Sequence, residues 1–337
     1  MLWIILITAA AAMIFTALLG FAAIPMLRKL KFGQTILDIG PAWHKKEKQG
    51  TPTMGGIMFI PAIAAAFVIG IGMLAANGMI SLEQTEKMNY VNAVSGLIMA
   101  VLFGAIGFID DFTKIRRKQN EGLTPTQKII LQVLVIAAYF TVRILAGNTS
   151  TSVNLPFLGT IDLWFFYYIL MGLAILYLVN AVNLTDGIDG LCTSVTLVYC
   201  AAFLIITAAL NAVGLTVLAA AAGGGCLGFL IWNAHPAKVF MGDTGSLFFG
   251  GIVVALGIGA NAEVLMVIAA AVYIWEALTV LIQTTYFKLT HGKRLFKMTP
   301  IHHSFEIRGW KEGKIVAVFS LLGVLAGTAA VLLSKGL

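Results

Sequence analysis

Residues 190–237 read GLCTSVTLVYCAAFLIITAALNAVGLTVLAAAAGGGCLGFLIWNAHPA, and they contain no Asp, Glu, Lys or Arg. A helix that crosses a membrane needs about 20 consecutive, mostly apolar residues. This stretch is therefore long enough for two such helices, with a turn near Asn211. Charge-free stretches also cover residues 1–27 and 49–82. Together they predict a chain that crosses a lipid bilayer several times.

The composition supports the same conclusion. Hydrophobic residues make up 59% of the 337 residues and charged residues only 11%, whereas soluble domains contain about 25% charged residues. This excludes a soluble globular protein, a disordered chain and a disulfide framework. Three cysteines, Cys192, Cys200 and Cys226, all lie in apolar runs, so we expect them to be packing residues.

We predict an all-α integral membrane protein, a polytopic bundle of about ten transmembrane helices that forms a single domain over residues 1–337. The predicted spans are approximately residues 2–26, 53–76, 90–109, 129–146, 163–180, 190–210, 213–232, 245–260, 264–287 and 314–334.

The distribution of cations predicts the orientation. The loops after the odd-numbered spans, with the adjoining helix ends, hold 19 of the 22 Lys and Arg residues, and the other side holds only Lys87, Arg143 and Lys335. Because basic residues concentrate in cytoplasmic loops, both termini are expected to be extracytoplasmic. The net charge of +7 is explained in the same way and does not indicate a nucleic-acid partner.

Chemically versatile residues concentrate on the predicted cytoplasmic face, which holds all five histidines and six of the seven aspartates. Asp110 and Asp111 end the third span. Adjacent carboxylates raise each other's pKa unless a cation intervenes, and Lys114 lies one helical turn further on. The pair is suited to binding Mg²⁺ or to acting as a base. A solvated helix end with a local ion pair is the alternative.

Residues 180–190 read NAVNLTDGIDG, with Asn180, Asn183, Asp186 and Asp189 at intervals of three. If this segment is helical, the four side chains share one face and suit a metal or the donor groups of a substrate. A helix cap followed by a turn is the alternative. Asp243 lies between glycines before an apolar run, where it suits either a helix N-cap or a phosphate site.

Paired histidines, His302 and His303, follow the ninth span, and such pairs bind metal, contact phosphate or transfer protons. The GTPTMGG turn at residues 50–56 is suited to holding an anion. Basic residues at 293, 294 and 297 either contribute to a site or meet anionic lipid headgroups. Together these groups predict an active site on the cytoplasmic face that binds Mg²⁺ and a diphosphate.

Five strings resemble the motifs of phospho-N-acetylmuramoyl-pentapeptide transferases, the MraY translocase family of the polyprenyl-phosphate N-acetylhexosamine-1-phosphate transferase superfamily. They are GTPTMGG (50–56), DDFTK (110–114), NAVNLTDGIDGL (180–191), FMGDTGSL (240–247) and PIHHSFE (300–306). The resemblance implies a multi-pass protein of the bacterial cell membrane. It also implies transfer of phospho-MurNAc-pentapeptide from UDP-MurNAc-pentapeptide to undecaprenyl phosphate, giving lipid I and UMP with Mg²⁺ as cofactor. It leaves a homodimer open.

The resemblance also implies roles for individual residues. Asp110 would be the base acting on the lipid phosphate, or a nucleophile, and Asp111 would support it. Asp243 would hold Mg²⁺, and His302 would belong to the catalytic group. The implied substrate-binding residues are Lys48, Thr53, Lys114, Lys128, Asn180, Asn183, Asp186, Asp189, Asn233, Phe240, Gln283 and His303.

One position departs from the family pattern, because Ser304 stands where members usually carry a third histidine. Three alternatives to this function stay open: a sibling transferase that moves GlcNAc-1-phosphate onto the same lipid, a secondary transporter, and a catalytically silent scaffold. Glu276 is an acid inside a predicted span, which makes it a functional candidate. A hydrogen bond to a neighbouring helix is the alternative explanation for it.

Overall fold

The computed structural model describes residues 1–29, 48, 50–80, 84–117 and 122–337. His44 and the lysines beside it lie outside the described residues. Twelve α-helices are described: α1 (Leu2–Lys29), α2 (Gly56–Ala76), α3 (Gln84–Arg117), α4 (Pro125–Leu145), α5 (Phe166–Thr185), α6 (Leu191–Ala209), α7 (Val213–Asn233), α8 (Gly242–Gly259), α9 (Glu263–Ala269), α10 (Ala271–Leu289), α11 (Ile301–Ile307) and α12 (Glu312–Leu333). A 3₁₀ turn at Ser334–Gly336 follows α12.

The predicted number of spans is confirmed. Within the described residues, nine helices are long and apolar enough to cross a membrane, and α9 with α10 makes a tenth if that pair is one span. The ninth predicted span, residues 264–287, was expected to be continuous. Instead the chain bends by 72° between α9 and α10. No glycine or proline marks the break, which falls at Ala269–Ala270–Ala271.

The prediction omitted a short β-hairpin between α4 and α5. Strand β1 (Ser152–Leu155) pairs antiparallel with β2 (Gly159–Asp162), with Ser152 opposite Asp162. At the base of the hairpin, Thr151 donates a hydrogen bond of 2.6 Å to the Asp162 carboxylate. The hairpin therefore delays the start of α5, which begins at Phe166 and continues to Thr185, beyond the predicted end.

Helix α8 occupies the middle of the bundle and is buried along most of its length. Helix α3 lies against it at unusually short range because glycines remove the side chains between them. A methyl group at Gly107 would overlap the backbone of Asp243, and one at Gly251 would lie 2.5 Å from the Cα of Ala100. Small residues allow close helix approach in membranes. The end of α3 is thereby brought against the beginning of α8.

Candidate active site

Three carboxylates meet where α3 ends and α8 begins. Asp110 and Asp111 lie near the end of α3, Asp243 lies in the first turn of α8, and each offers an oxygen within 4.8 Å of the others. Asp110 and Asp111 are buried, whereas the Asp243 side chain is 20% exposed. The contact at Gly107 produces this convergence, because it fixes the distance between the two helices.

Two lysines neutralise much of this negative charge. Lys114 Nζ lies 2.6 Å from Asp110 Oδ2 and 3.1 Å from Asp243 Oδ2. Lys128 Nζ lies 2.7 Å from the same Asp243 oxygen. Lys128 comes from the first turns of α4, where Thr124 and Gln127 form a capping box. The local ion pair expected for Lys114 is therefore present, and it extends to a third carboxylate.

Asp111 fixes the start of α8. Its carboxylate accepts hydrogen bonds from the Thr244 N–H at 2.9 Å and the Thr244 hydroxyl at 2.7 Å. A carboxylate at a helix N-terminus is favoured because the first N–H groups lack partners within the helix. Asp110 instead accepts a hydrogen bond of 2.9 Å from the Leu123 N–H.

Asn180, Asn183, Asp186 and Asp189 do not share one helical face, because α5 ends at Thr185 with Asp186 at its C-cap. The alternative of a helix cap followed by a turn is therefore the one observed. Asn183 does reach the carboxylate cluster and donates a hydrogen bond of 2.9 Å to Asp243. Asn180 faces α4 instead, where it bonds to Gln132 at 2.9 Å. The chain then forms a turn that ends at Gly190, whose φ of 75° is readily adopted by glycine.

Asp186 begins this turn beside the carboxylate cluster. Burial, followed by the negative charges of Asp243 and Asp111, raises the pKa of Asp186 to about 8. Desolvation and nearby like charges both favour the neutral form of a carboxyl group. Asp186 is therefore mostly protonated at neutral pH in the free protein.

A second charged group surrounds Lys48, whose Nζ lies 2.8 Å from Asp189 and 2.7 Å from Glu312. Burial would raise the pKa of Asp189, but Lys48 and the hydrogen bonds that the carboxylate accepts lower it below its usual value. His235 Nδ1 lies 3.0 Å from the same carboxylate. The sequence interpretation missed both Glu312 and His235, since each lies far from Asp189 along the chain.

A cavity of about 300 Å³ opens beside Lys48, and its lining includes Asp189, His235 and Phe240. The Phe240 backbone is held by the loop containing the GTPTMGG motif, because its N–H donates to the Pro52 carbonyl at 2.9 Å. Asn233 is buried and supports the next turn through a bond of 3.0 Å to the Val239 carbonyl. The cavity and the carboxylate cluster thus share one end of the bundle.

Thr53 lies at the junction of these two regions, and its hydroxyl would be 2.7 Å from a methyl group placed at Gly242. Gln283 is buried and accepts hydrogen bonds from the Leu295 and Phe296 N–H groups at 3.0 and 2.9 Å. It therefore holds the loop before α11. The structure brings Thr53 close to the start of α8 but places Gln283 in a supporting position.

The two histidines lie in α11. His302 is fully buried and contacts Glu276, while His303 contacts Glu306 and is 14% exposed. Ser304 turns away from both, since its hydroxyl accepts from the Met298 N–H at 3.0 Å and donates to the Met298 carbonyl at 2.5 Å. In this chain the third position of the motif is therefore occupied by a backbone-binding hydroxyl.

The carboxylate cluster fits a magnesium ion. Three carboxylates with oxygens within 4.8 Å of one another provide the hard oxygen ligands that Mg²⁺ prefers, and Mg²⁺ usually binds through one or two carboxylates together with substrate phosphates. Asp243 is the most exposed of the three and lies at the centre of the contacts from Lys114 and Lys128. Its exposure makes it the carboxylate that an ion shared with a substrate could reach, and an ion bound through Oδ2 would take the place of the lysine contacts there.

Comparison with known proteins places this arrangement in a family. The family model described as Glycosyl transferase family 4 matches residues 93–261. The signature described as Phospho-N-acetylmuramoyl-pentapeptide-transferase signature 1 matches residues 48–60. A protein named phospho-N-acetylmuramoyl-pentapeptide-transferase from Halalkalibacterium halodurans is 41% identical over 331 residues, 98% of this chain and 97% of the relative. The chain belongs to the phospho-N-acetylmuramoyl-pentapeptide transferase family.

Further relatives of this transferase have the same printed name. The protein from Shouchella clausii is 42% identical over 329 residues, which is 96% of this chain and 94% of the relative. That from Clostridioides difficile is 43% identical over 320 residues, 94% of each chain. The two family matches cover Lys48 and the carboxylate cluster. The chain is accordingly a multi-pass membrane member of the family.

Proposed function

We propose that the protein transfers phospho-MurNAc-pentapeptide from UDP-MurNAc-pentapeptide to undecaprenyl phosphate, which yields lipid I and releases UMP. The observation that carries this proposal is the convergence of three carboxylates and two lysines where α3 meets α8. Both reactants are anions, so a site for them has to combine cations with metal-binding oxygens. The family relationship to transferases of that name supports the same assignment.

The reaction exchanges one phosphoanhydride bond for another and leaves the sugar phosphate ester intact. An oxygen of the lipid phosphate forms a bond to the sugar-linked phosphorus of the UDP-sugar, and the bond from that phosphorus to the oxygen of UMP breaks. Asp110 takes the proton of the lipid phosphate in the direct route. In the two-step route Asp110 attacks first and the lipid phosphate then displaces it.

The remaining residues offset the negative charge of the two reactants. A bound Mg²⁺, held by Asp243 with Asp110 and Asp111 nearby, would neutralise phosphate oxygens and orient them for attack. Lys114 and Lys128 lie against the same carboxylates and are placed to bind phosphate. Asp186 lies beside these carboxylates, and its raised pKa in the free protein limits the negative charge that the site carries before an ion binds. In this proposal the nucleotide occupies the cavity beside Lys48 and Phe240.

The location of the reaction follows from the orientation predicted above. The carboxylate cluster would face the cytoplasm, where the nucleotide-sugar is soluble, and both termini would be extracytoplasmic. Undecaprenyl phosphate would reach the site from the surrounding bilayer of the bacterial cell membrane. In the proposal residues 1–337 act as one transferase domain, no nucleic acid takes part, and a homodimer stays a prediction.

The proposal is tested with purified protein and undecaprenyl phosphate, supplied separately with labelled UDP-MurNAc-pentapeptide and labelled UDP-GlcNAc. Labelled lipid and UMP are expected only from the first donor. Labelled lipid from UDP-GlcNAc alone would indicate the sibling transferase instead. Flux across sealed vesicles without a lipid product would indicate a transporter, and absence of both would leave a silent scaffold.

A further inference from the structure

Two histidine–carboxylate pairs lie side by side in and around α11. His302 Nδ1 is 3.1 Å from Oε2 of Glu276, and His303 Nδ1 is 2.6 Å from Oε2 of Glu306. The centroids of the two imidazole rings are 4.1 Å apart. Both rings thus turn Nδ1 towards a carboxylate, which leaves Nε2 on the opposite side of each ring.

Gly187 forms the surface that both Nε2 atoms meet. A methyl group at this position would overlap His302 Nε2, and it would lie 2.7 Å from His302 Cε1 and 3.2 Å from His303 Nε2. Gly187 follows Asp186, which interacts electrostatically with Asp243 and Asp111. The turn after α5 therefore connects the two imidazoles to the carboxylate cluster.

The Glu276 pair is the more deeply placed of the two. Both Glu276 and His302 have side chains with 0% exposure. Within the described part of the chain, neither oxygen of the Glu276 carboxylate and neither ring nitrogen of His302 has an aligned hydrogen bond, so the 3.1 Å approach of Nδ1 to Oε2 is the polar contact that these buried groups share. A buried acid in an apolar helix is costly without a charged or hydrogen-bonding partner. Packing alone would be better served at position 276 by an apolar side chain.

We propose that Glu276 is a positioning residue for the transfer reaction, whose carboxylate holds His302 with Nε2 facing the Asp186–Gly187 turn. The inference rests on the proposed function for its catalytic consequence. A carboxylate at Nδ1 fixes the orientation and tautomer of an imidazole. Two titratable side chains lie against the His302 ring, Glu276 from α10 and His303 from α11, and the turn meets the ring at Gly187.

This arrangement explains how a fully buried histidine can influence the reaction without reaching the substrate. His302 supports the turn that Asp186 begins, and it lies against His303, the partly exposed imidazole. Loss of the Glu276 charge should let the His302 ring reorient and loosen the turn. The rate of transfer should then fall while nucleotide binding, which involves the separate Lys48 cavity, is retained.

The test is a double-mutant cycle on the full-length protein, with Glu276→Gln, His302→Gln and the double variant. We expect Glu276→Gln to lower kcat about 10-fold and to change KM for the nucleotide-sugar by less than about 2-fold. In the His302→Gln background the same substitution should change kcat by less than about 2-fold, because residues that act through one another are non-additive. Equal losses in both backgrounds would overturn the proposal.

Glu263→Gln is the matched control. Glu263 is a buried acid on α9, the other half of the same bent pair, and it accepts a hydrogen bond of 2.8 Å from the Tyr167 hydroxyl. The Glu263→Gln substitution removes the same charge at a position away from α11, so kcat should stay at the wild-type value. If Glu263→Gln lowers kcat as much as Glu276→Gln does, any buried charge on α9 or α10 matters for the rate. That result would overturn the specific role of Glu276 as a positioning residue.

A readout without turnover separates this inference from the proposed function. The protein is labelled with ¹⁵N-histidine and its imidazole signals are recorded by NMR; the His302 signals are those that disappear in His302→Gln. They should show the hydrogen on Nδ1 in the wild type and should change in Glu276→Gln. Unchanged signals would overturn the proposal even if transfer is confirmed. Changed signals in a protein without transferase activity would support the pair and refute the function. If Glu276→Gln fails to fold, Glu276→Asp replaces it, with Glu263→Asp as its control: it keeps the charge but withdraws the carboxylate from His302 by one methylene group. Wild-type kcat and unchanged His302 signals in Glu276→Asp would then overturn the proposal.

Discussion

Gly107→Ala tests whether the close contact of α3 with α8 creates the site. The new methyl group would overlap the Asp243 backbone and lie 2.6 Å from the Thr244 nitrogen. The obstructing atoms are backbone, so they cannot move aside as a side chain would. Helices α3 and α8 would therefore have to separate, and the carboxylates at their ends would separate with them.

The structure gives the size of the effect. Non-bonded heavy atoms prefer separations of about 3.5–4.0 Å, so the helices must move apart locally by about 1 Å. Overpacking of this kind costs about 1–3 kcal/mol of stability. A misplacement of about 1 Å in a reacting constellation can cost about 100-fold in rate. We expect a folded protein that is modestly less stable and about 100-fold slower.

The assay measures UMP release and the thermal unfolding of the same preparation. Gly72→Ala is the matched control, because a methyl group there would have no neighbour within 4 Å in the described structure, and it should keep wild-type turnover. Wild-type turnover of Gly107→Ala would show that the spacing of α3 and α8 does not set the geometry of the carboxylates.

Three further predictions concern single side chains. Asp110→Asn and Asp243→Asn should each lower transfer by about 100- to 10,000-fold without unfolding the protein, as measured by UMP release; near wild-type turnover of either variant would remove its assigned role. Between about pH 4 and 8 the folded protein holds a proton on Asp186 that the unfolded chain releases, since the pKa of Asp186 is raised to about 8. The free energy of unfolding should therefore fall as the pH rises through this range, and a pH series of thermal unfolding should show this contribution missing in Asp186→Asn; identical pH dependence in both proteins would contradict it. Ser304→Ala removes two hydrogen bonds to Met298 and should cost about 1–3 kcal/mol of stability with transfer near the wild-type rate; a large loss of transfer at unchanged stability would indicate a direct role.

Much of the fold could be predicted because each span is a long run without charge. The break between α9 and α10 could not, since Ala269–Ala271 contains none of the residues that usually bend a helix. The hairpin could not be predicted from the sequence either, because β1 and β2 have only four residues each. Such short strands depend on neighbouring contacts more than on their own composition.

Some contacts of the candidate site could also be predicted from the sequence, and others could not. Asp110, Asp111 and Lys114 are neighbours along one helix, so their contact could be predicted from spacing. The spacing from Asn180 to Asp189 left a helical stripe and a helix cap with a turn both open, and the structure shows the second because α5 ends at Thr185. Glu312 contacts Lys48 and Asp189 only because tertiary structure brings them together. No pattern in the local sequence predicts such a contact.

The end of α3 and the start of α8 form one charged site. Titration of the full-length protein with Mn²⁺, followed by electron paramagnetic resonance, measures this directly in the wild type, Asp110→Asn and Asp243→Asn. Because the carboxylates lie within 4.8 Å of one another, removing either charge should weaken binding at the same site, about 10-fold or more for Asp243→Asn. Wild-type affinity in both variants would contradict the account.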